Sequence, residues 1–203
     1  MTIDQIMRAA PVIPVLVLQE EMDWAALAET FVGAGLPVLE VTMRTPLALD
    51  AIREMASVPG AIVGAGTVLN EIQLAQAIDA GSQFIVSPGL TNPLALAARD
   101  TAIPFLPGIA TTSDIMRGLD LGLDRFKFFP AEAAGGIPTL QAFAAVFGNI
   151  RFCPTGGIRV DTAAKWLALE PVLCVGGSWF VKSGDELSAI GERARAAAAL
   201  GAA

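Results

Sequence analysis

The chain has 203 residues and contains neither histidine nor tyrosine. The lack of histidine excludes a Ser-His-Asp or Cys-His mechanism, and it excludes zinc or iron sites that use histidine ligands. If the protein is an enzyme, its proton transfers and its nucleophilic attack must come from lysine, aspartate, glutamate, cysteine or serine.

Cysteine is also scarce, because only Cys153 and Cys174 are present. Two cysteines are too few for a disulfide-stabilised scaffold, and their spacing matches no zinc-binding pattern. We interpret them as buried thiols of the core. They fall on neighbouring predicted strands, but the sequence does not decide whether the two thiols are in contact.

Charged residues make up only 16% of the chain, hydrophobic residues make up 54%, and the net charge is −7. This composition predicts a large buried core and excludes a disordered chain. The negative net charge argues against a nucleic-acid-binding surface, which normally needs a basic face. The uncharged run of residues 80–98 is interrupted by glycine and proline, and the N-terminus has no apolar signal segment. We therefore expect a cytoplasmic protein that binds neither membrane nor nucleic acid.

Short apolar runs alternate with helix-like segments along the whole chain, and no shift in composition marks a domain boundary. Eight such β–α units predict a parallel sheet closed into a (β/α)8 TIM barrel, as a single domain over residues 1–203. An open doubly wound sheet is the alternative, but it normally has a glycine-rich loop after its first strand, where this chain has LQEEMD. The predicted strands are residues 12–18, 37–43, 61–68, 84–88, 104–110, 125–130, 151–157 and 173–178.

The predicted helices carry typical terminal residues. Side chains that cap helix N-termini stand at the start of four of them, and glycine stands at the end of three. The capping residues are Asp23, Asn70, Ser113 and Asp161, and the glycines are Gly35, Gly81 and Gly122.

The second predicted strand, in PVLEVTMRT, carries polar residues at alternate positions. On a barrel strand, residues of one parity face the interior, and the chemistry lies at the carboxyl ends of the strands. Glu40, Thr42 and Arg44 share the parity that we assign to the interior, whereas the apolar residues between them would pack under the helices. The alternative is a Glu40–Arg44 ion pair that only fills the barrel.

The stretch FKFFPAE, residues 126–132, places Lys127 inside an aromatic run, although the chain has only three lysines. If Lys127 faces the interior, desolvation disfavours its charged form and leaves a free amine that can form a Schiff base. The alternative is an outward lysine whose aliphatic stem covers apolar surface while its charge reaches water.

Paired glycines close the last two predicted strands, in PTGGI (154–158) and VGGSW (175–179). These two loops frequently bind phosphate in TIM barrels, because glycine lets backbone N–H groups approach the phosphate oxygens. Ser178 can add a hydroxyl, and Thr67 and Pro88 lie near the same mouth. The alternative is that the glycines only form tight turns. An amine, a carboxylate, an arginine and a phosphate cradle together indicate Schiff-base chemistry on a phosphorylated 2-oxo acid.

With these motifs, the chain resembles the aldolase family that acts on 2-keto-3-deoxy-6-phosphogluconate (KDPG) and 4-hydroxy-2-oxoglutarate (KHG). The resemblance runs from the second to the eighth predicted strand. It implies a class I aldolase without metal or cofactor that cleaves KDPG to pyruvate and D-glyceraldehyde 3-phosphate, the last step of the Entner–Doudoroff pathway. It also implies a homotrimer. The matching stretches are PVLEVTMRT, GAGTVLN, FIVSPGL, FKFFPAE, RFCPTGGI and CVGGSW.

The resemblance also implies a role for each residue of the site. Lys127 corresponds to the Schiff-base lysine and Glu40 to the general acid/base. Arg44 and Thr67 correspond to the residues that bind the pyruvate carboxylate. The pocket positions are Pro88, Phe129 and Thr155, and the phosphate positions are Gly156, Gly157, Gly177 and Ser178.

Several alternatives stay open at the level of sequence. An aldolase of the same mechanism could prefer KHG or the galactonate epimer of KDPG, because selectivity at C4 depends on pocket shape. A phosphosugar isomerase barrel would keep the glycine pairs without needing Lys127. A non-catalytic scaffold is a third alternative, although the complete set of lysine, glutamate, arginine and glycines argues against it.

Overall fold

A computed structural model describes residues 1–201, so the last two residues of the predicted 1–203 domain lie outside the described range. Strands and helices alternate over this range, and all paired strands are parallel. The strands are β1 (Val12–Leu16), β2 (Val38–Thr42), β3 (Ile62–Gly66), β4 (Phe84–Val86), β5 (Phe105–Leu106), β6 (Gly108–Ile109), β7 (Arg125–Phe128), β8 (Arg151–Pro154) and β9 (Val175–Gly177). The helices are α1 (Ile3–Arg8), α2 (Trp24–Gly33), α3 (Ala48–Ala56), α4 (Glu71–Asp79), α5 (Asn92–Asp100), α6 (Thr112–Asp120), α7 (Gly136–Val146), α8 (Val160–Leu167) and α9 (Leu187–Ala198).

The strands form two parallel ladders instead of one continuous eight-stranded ring. One sheet has the order β5-β4-β3-β2-β1-β9, and the other has the order β6-β7-β8. Single bridges from Phe152 to Val172 and from Thr155 to Gly176 connect β8 with the β9 region. The fold is therefore an α/β fold with a curled parallel sheet surrounded by helices. The closed TIM-barrel ladder expected from the sequence is only partly present.

The division falls inside the predicted fifth strand, residues 104–110. Pro107 separates β5 from β6 because proline has no N–H to donate to a ladder. Its carbonyl still accepts a hydrogen bond from the Lys127 amide at 2.9 Å. The chain therefore passes from the six-stranded sheet to the three-stranded sheet at Pro107.

Most of the predicted helix ends are confirmed. The Asp23 and Asn70 side chains accept hydrogen bonds from backbone amides three residues later, at 2.8 and 2.9 Å, and cap α2 and α4. Gly35, Gly81 and Gly122 follow the last residues of their helices with φ of +89°, +93° and +78°. Glycine adopts this left-handed conformation without the steric cost that a side chain would add.

Two predicted N-caps are wrong. Ser113 and Asp161 lie inside the first turns of α6 and α8, whose N-caps are Thr111 and Arg159. Helix α6 begins earlier because Thr111 and Asp114 form a capping box, in which each side chain bonds the other residue's backbone N–H. This reciprocal pair stabilises the earlier start better than Ser113 alone could.

The larger core lies between the strands and the helices. On β2, Leu39 and Val41 are fully buried in it, and Met43 packs at its edge. This burial matches the predicted parity, in which the alternate residue Glu40 belongs to the opposite face.

A smaller core fills the inner face of the curled sheet and is closed at one end by α1. Ile6 and Met7 of α1 are buried in this core, together with Ile13, Val38 and Phe84 from three strands. Because Val38 begins β2, α1 covers the amino-terminal ends of the strands. In parallel barrels the functional side chains lie at the opposite, carboxyl-terminal ends of the strands, so we expect the site there.

Within residues 1–201, no helix is long and apolar enough to cross a membrane. The uncharged run of residues 80–98 instead contains β4 and most of α5.

Candidate active site

Lys127 and Glu40 meet in the interior, although they belong to different sheets. Lys127 lies on β7 and Glu40 on β2, and both residues are buried, at 4% and 3% exposure. Lys127 Nζ is 2.8 Å from Glu40 Oε1 and 3.1 Å from Oε2. The structure therefore joins a buried amine to a buried carboxylate that can exchange a proton with it.

The surroundings of Lys127 are more polar than the aromatic run indicates. Its Nζ lies 5.5 Å from the centre of the Phe129 ring, but it also touches the Glu40 carboxylate. These two contacts place Lys127 Nζ between an aromatic ring and a carboxylate. That Lys127 reacts as a free amine stays a prediction.

Gly66, the last residue of β3, makes room for the Glu40 side chain. A Cβ added at Gly66 would lie 2.6 Å from Glu40 Cγ and 2.8 Å from Cδ, which is closer than carbon atoms can pack. Glycine at this position allows the carboxylate to cross the interior and reach Lys127. No role for Gly66 was predicted from the sequence, although the motif GAGT, residues 64–67, contains it.

Arg44 and Thr67 lie together at the mouth. Arg44 Nε donates a hydrogen bond to Thr67 Oγ1 at 3.0 Å, and the Arg44 side chain is exposed. Thr67 has a φ of +59°, a left-handed conformation that costs a β-branched residue roughly 1–3 kcal/mol. Such a cost is frequently found where a side chain must be held in a functional direction.

Pro88 and Phe129 line one cavity of about 380 Å³ at this mouth. Leu69, on the connection to α4, and Asp114, in α6, also line it. The Phe129 ring also packs on Gly156, where an added Cβ would come within 3.3 Å of it. The Phe129 side chain therefore contacts both the cavity and Gly156.

The two glycine pairs lie on neighbouring strands. A bridge between Thr155 and Gly176 holds the ends of β8 and β9 side by side. Gly156 and Gly157 have φ of +100° and +81°, so both adopt conformations that favour glycine. Gly177 ends β9, and the exposed Ser178 follows it. These backbone amides and the Ser178 hydroxyl could bind an anion at one place.

The two cysteines lie close together in the inner core, which answers the question that the sequence left open. Cys153 is 2% exposed and Cys174 is fully buried. The adjacent Cys153 thiol, and then burial, raise the pKa of the Cys174 thiol well above its ordinary value. Cys153 Sγ lies 3.8 Å from Thr155 Oγ1 and is in register with Lys127 on β7. The interpretation as buried thiols is confirmed.

Among residues 1–201, no group of three or more histidine, cysteine, aspartate or glutamate side chains is arranged to hold a metal ion.

Comparison with known proteins finds similar sequences and structures over most of the chain. A family model described as KDPG and KHG aldolase matches residues 3–192. A 2-dehydro-3-deoxy-phosphogluconate aldolase from Zymomonas mobilis is 57% identical over 182 residues, which cover 90% of this chain and 88% of that protein.

Two crystal structures resemble the chain over almost its whole length. A Zymomonas mobilis 2-keto-3-deoxy-6-phosphogluconate aldolase with 3-phosphoglycerate has a TM-score of 0.95 and 54% identity, covering 98% of this chain and 95% of that one. A KDPG aldolase from Legionella pneumophila, with pyruvate captured as a covalent carbinolamine, has a TM-score of 0.94 and 42% identity, covering 98% of both chains.

Proposed function

Since this chain belongs to the KDPG and KHG aldolase family, we propose that it is a class I aldolase that cleaves KDPG to pyruvate and D-glyceraldehyde 3-phosphate. This reaction is the last step of the Entner–Doudoroff pathway. The family membership favours this function over a phosphosugar isomerase or a scaffold.

The observation that carries the proposal is the buried pair of Lys127 and Glu40, with Nζ 2.8 Å from Oε1. A Schiff-base reaction needs an amine nucleophile, and it needs a group that moves protons beside that amine. We assign the nucleophile to Lys127 and the general acid/base to Glu40.

The other roles follow the positions around this pair. Arg44 and Thr67 bind the substrate carboxylate, because a guanidinium fork at the mouth suits a planar carboxylate. Pro88, Phe129 and Thr155 line the pocket. The phosphate is bound by Gly156, Gly157, Gly177 and Ser178.

The reaction begins when Glu40 takes a proton from the Lys127 ammonium. The free amine attacks the C2 carbonyl carbon of KDPG. Glu40 then gives its proton to the C2 oxygen, which leaves as water, and a protonated imine remains. The imine accepts the electron pair that bond cleavage releases, so the chemistry needs neither metal nor cofactor.

Glu40 then removes the proton of the C4 hydroxyl, directly or through a water. The C3–C4 bond breaks and glyceraldehyde 3-phosphate leaves. The electron pair of the broken bond stays on C3 and forms an enamine with the imine on Lys127. Protonation at C3 restores the imine, and hydrolysis releases pyruvate and the amine. One carboxylate can serve each transfer because every use restores the state needed for the next.

KHG is a second candidate substrate, because the matching family model covers both aldolase activities. Lys127 and Glu40 would act on KHG in the same way, but KHG has no phosphate for the glycine loops to bind. Comparing cleavage rates on KDPG, on its galactonate epimer and on KHG measures the preference.

We also propose that the chain forms one closed barrel domain over residues 1–203 and assembles as a homotrimer in the cytoplasm. Closure is supported by the bridges between β8 and the β9 region and by the single residue, Pro107, between β5 and β6. Counting β5 and β6 as one strand gives the eight strands that a TIM barrel requires.

The test of the function is reductive trapping with pyruvate and sodium borohydride, followed by peptide mapping. The chain offers matched variants because it has three lysines. A Lys165→Ala/Lys182→Ala variant keeps Lys127 and should still form the reduced pyruvate adduct and cleave KDPG. Lys127→Ala should lose both while keeping its circular dichroism spectrum.

Two results would overturn the assignment. One is an adduct on Lys165, Lys182 or the N-terminal amine, with none on the peptide containing Lys127. The other is appreciable KDPG cleavage by folded Lys127→Ala.

A further inference from the structure

Glu132 is the last residue of FKFFPAE and has no role in the reaction described above. It follows β7 and lies beside the loop that carries Gly156 and Gly157. Its side chain is largely exposed, yet its carboxylate accepts a hydrogen bond from the indole of buried Trp166. The inference below rests on the proposed function, which assigns this loop to the substrate phosphate.

Two backbone amides at Glu132 and the residue before it donate hydrogen bonds to two successive carbonyls of the loop. The Ala131 amide donates to the Thr155 carbonyl at 2.8 Å, and the Glu132 amide donates to the Gly156 carbonyl at 3.1 Å. In a trans peptide the C=O and N–H groups point in opposite directions. The Gly157 N–H, which shares a peptide unit with the Gly156 carbonyl, therefore points away from the Glu132 amide.

The side chain of Glu132 also contacts this loop and the helix that follows it. Its Cβ and Cγ lie against Gly157, where an added Cβ would come within 2.7 Å of both. Its Oε1 accepts from Trp166 Nε1 at 3.1 Å. Trp166 is 1% exposed and belongs to α8, which begins directly after the loop.

We propose that Glu132 is a positioning residue for phosphate binding. Its stem packs on Gly157 and its carboxylate is anchored to Trp166, so the Gly156–Gly157 backbone is held with the Gly157 N–H directed at the phosphate. Glu132 itself does not contact the phosphate, since two anions in contact would repel each other.

This role predicts an effect on the phosphorylated substrate and not on the chemistry at Lys127. Glu132→Ala should raise the KM for KDPG about tenfold, which corresponds to losing roughly one well-placed hydrogen bond. Its kcat should stay within about twofold of the parent enzyme. Exchange of the pyruvate methyl protons with D₂O, which needs no phosphate, should keep its rate.

Three further variants separate positioning from general structure. Glu132→Gln keeps an oxygen that can accept from the indole N–H and should restore most of the KM. Trp166→Phe removes that N–H, and combining it with Glu132→Ala should add little to the increase in KM. Glu170→Ala removes another exposed carboxylate, one that pairs with Arg151, and should behave like the parent.

Inorganic phosphate is the direct probe of the loop. Its inhibition constant against KDPG should rise in Glu132→Ala by the same factor as KM. An unchanged KM and inhibition constant in Glu132→Ala would overturn the inference, and so would equal losses of KDPG cleavage and pyruvate exchange. If the parent enzyme does not cleave KDPG or exchange pyruvate protons, the proposed function itself fails, which is a distinct result.

Discussion

At the residue scale, the position of the Glu40 carboxylate depends on the absence of a side chain at Gly66. Gly66 has no left-handed φ, so alanine is compatible with its backbone, and the three atoms nearest to an added Cβ all belong to Glu40. Gly66→Ala should push the carboxylate away from Lys127 and slow every proton transfer. We expect kcat to fall roughly 10²-fold, within the range that general acid–base catalysis contributes.

The measurement is kcat for KDPG cleavage together with the exchange of pyruvate protons, and both should fall in parallel, as they should in Glu40→Gln. Gly89→Ala is the matched control, because an added Cβ at Gly89 meets no atom within 4 Å. It should keep normal rates. Equal activity of the two alanine variants would show that Gly66 does not set the carboxylate position.

Sequence reasoning predicted which residues of the site face inward, but not how they pair. The two-residue period of a strand is enough to give Glu40 and Lys127 an interior parity. Their contact joins β2 to β7 across the interior. The distance between the two side chains depends on the tilt and stagger of the strands, which a local sequence pattern does not determine. The role of Gly66 was missed for the same reason.

At the scale of elements, α1 is connected to β7 by charge and to the smaller core by its apolar side chains. Asp4 Oδ1 lies 2.6 Å from Arg125 Nε, and Asp4 Oδ2 lies 2.8 Å from Arg8 Nε. Hydrogen bonds from Arg125 first and Arg8 second lower the pKa of the Asp4 carboxyl. This ion pair stabilises the folded state only while Asp4 is ionised.

Asp4→Asn should therefore lower the stability at neutral pH. A lowered pKa in the folded state contributes stability that is fully present above the ordinary Asp pKa of about 3.9, and that is lost as pH falls through the folded-state pKa. We expect a decrease in Tm of roughly 2–4 °C at pH 7, as for about 1 kcal/mol from one ion pair. The difference from the parent should persist at pH 5 and shrink below about pH 4.

Thermal unfolding of the parent and the variant at several pH values checks this expectation. Asp100→Asn is the control, because Asp100 is mostly exposed and lies 3.4 Å from the equally exposed Arg99. Its Tm should match the parent at every pH. A difference between Asp4→Asn and the parent that grows on acidification would contradict the assigned direction.

The elements themselves were largely predictable, and the exceptions have local causes. Alternating apolar runs gave the strands, but the run 104–110 could not reveal that Pro107 would end one ladder and begin another. Asp23 and Asn70 were identified as N-caps by residue type alone. Ser113 was not the N-cap of α6, because Thr111 and Asp114 compete for the same helix start through a reciprocal capping box.

At the scale of the whole molecule, the number and order of the β–α units predicted the class of fold. They did not predict where hydrogen bonding between strands is interrupted, since closure depends on strand stagger and on single residues such as Pro107. The interior pair of Lys127 and Glu40 connects the two sheets. The proposed catalytic contact therefore depends on how the two sheets are placed relative to each other.

Helices α4 and α6 carry large apolar side chains on their exposed faces. Leu69 and Ile72, at the start of α4, and Met116 and Leu119, on α6, are between 43% and 73% exposed. Leu69 and Asp114, in the first turn of α6, line the same cavity. Because large exposed apolar side chains favour association, we expect the contacts of the proposed trimer to include α4 and α6.

Ile72→Asp/Met116→Asp should therefore convert the proposed trimer into monomers. Light scattering coupled to size-exclusion chromatography should give three times the chain mass of 21.0 kDa for the parent and the single-chain mass for the variant. Val146→Asp is the control, since Val146 is 71% exposed on α7. It should stay trimeric. A buried interface cannot accept two new charges without a large loss of affinity. A trimeric double variant would therefore place the interface elsewhere, and a monomeric parent would exclude the trimer.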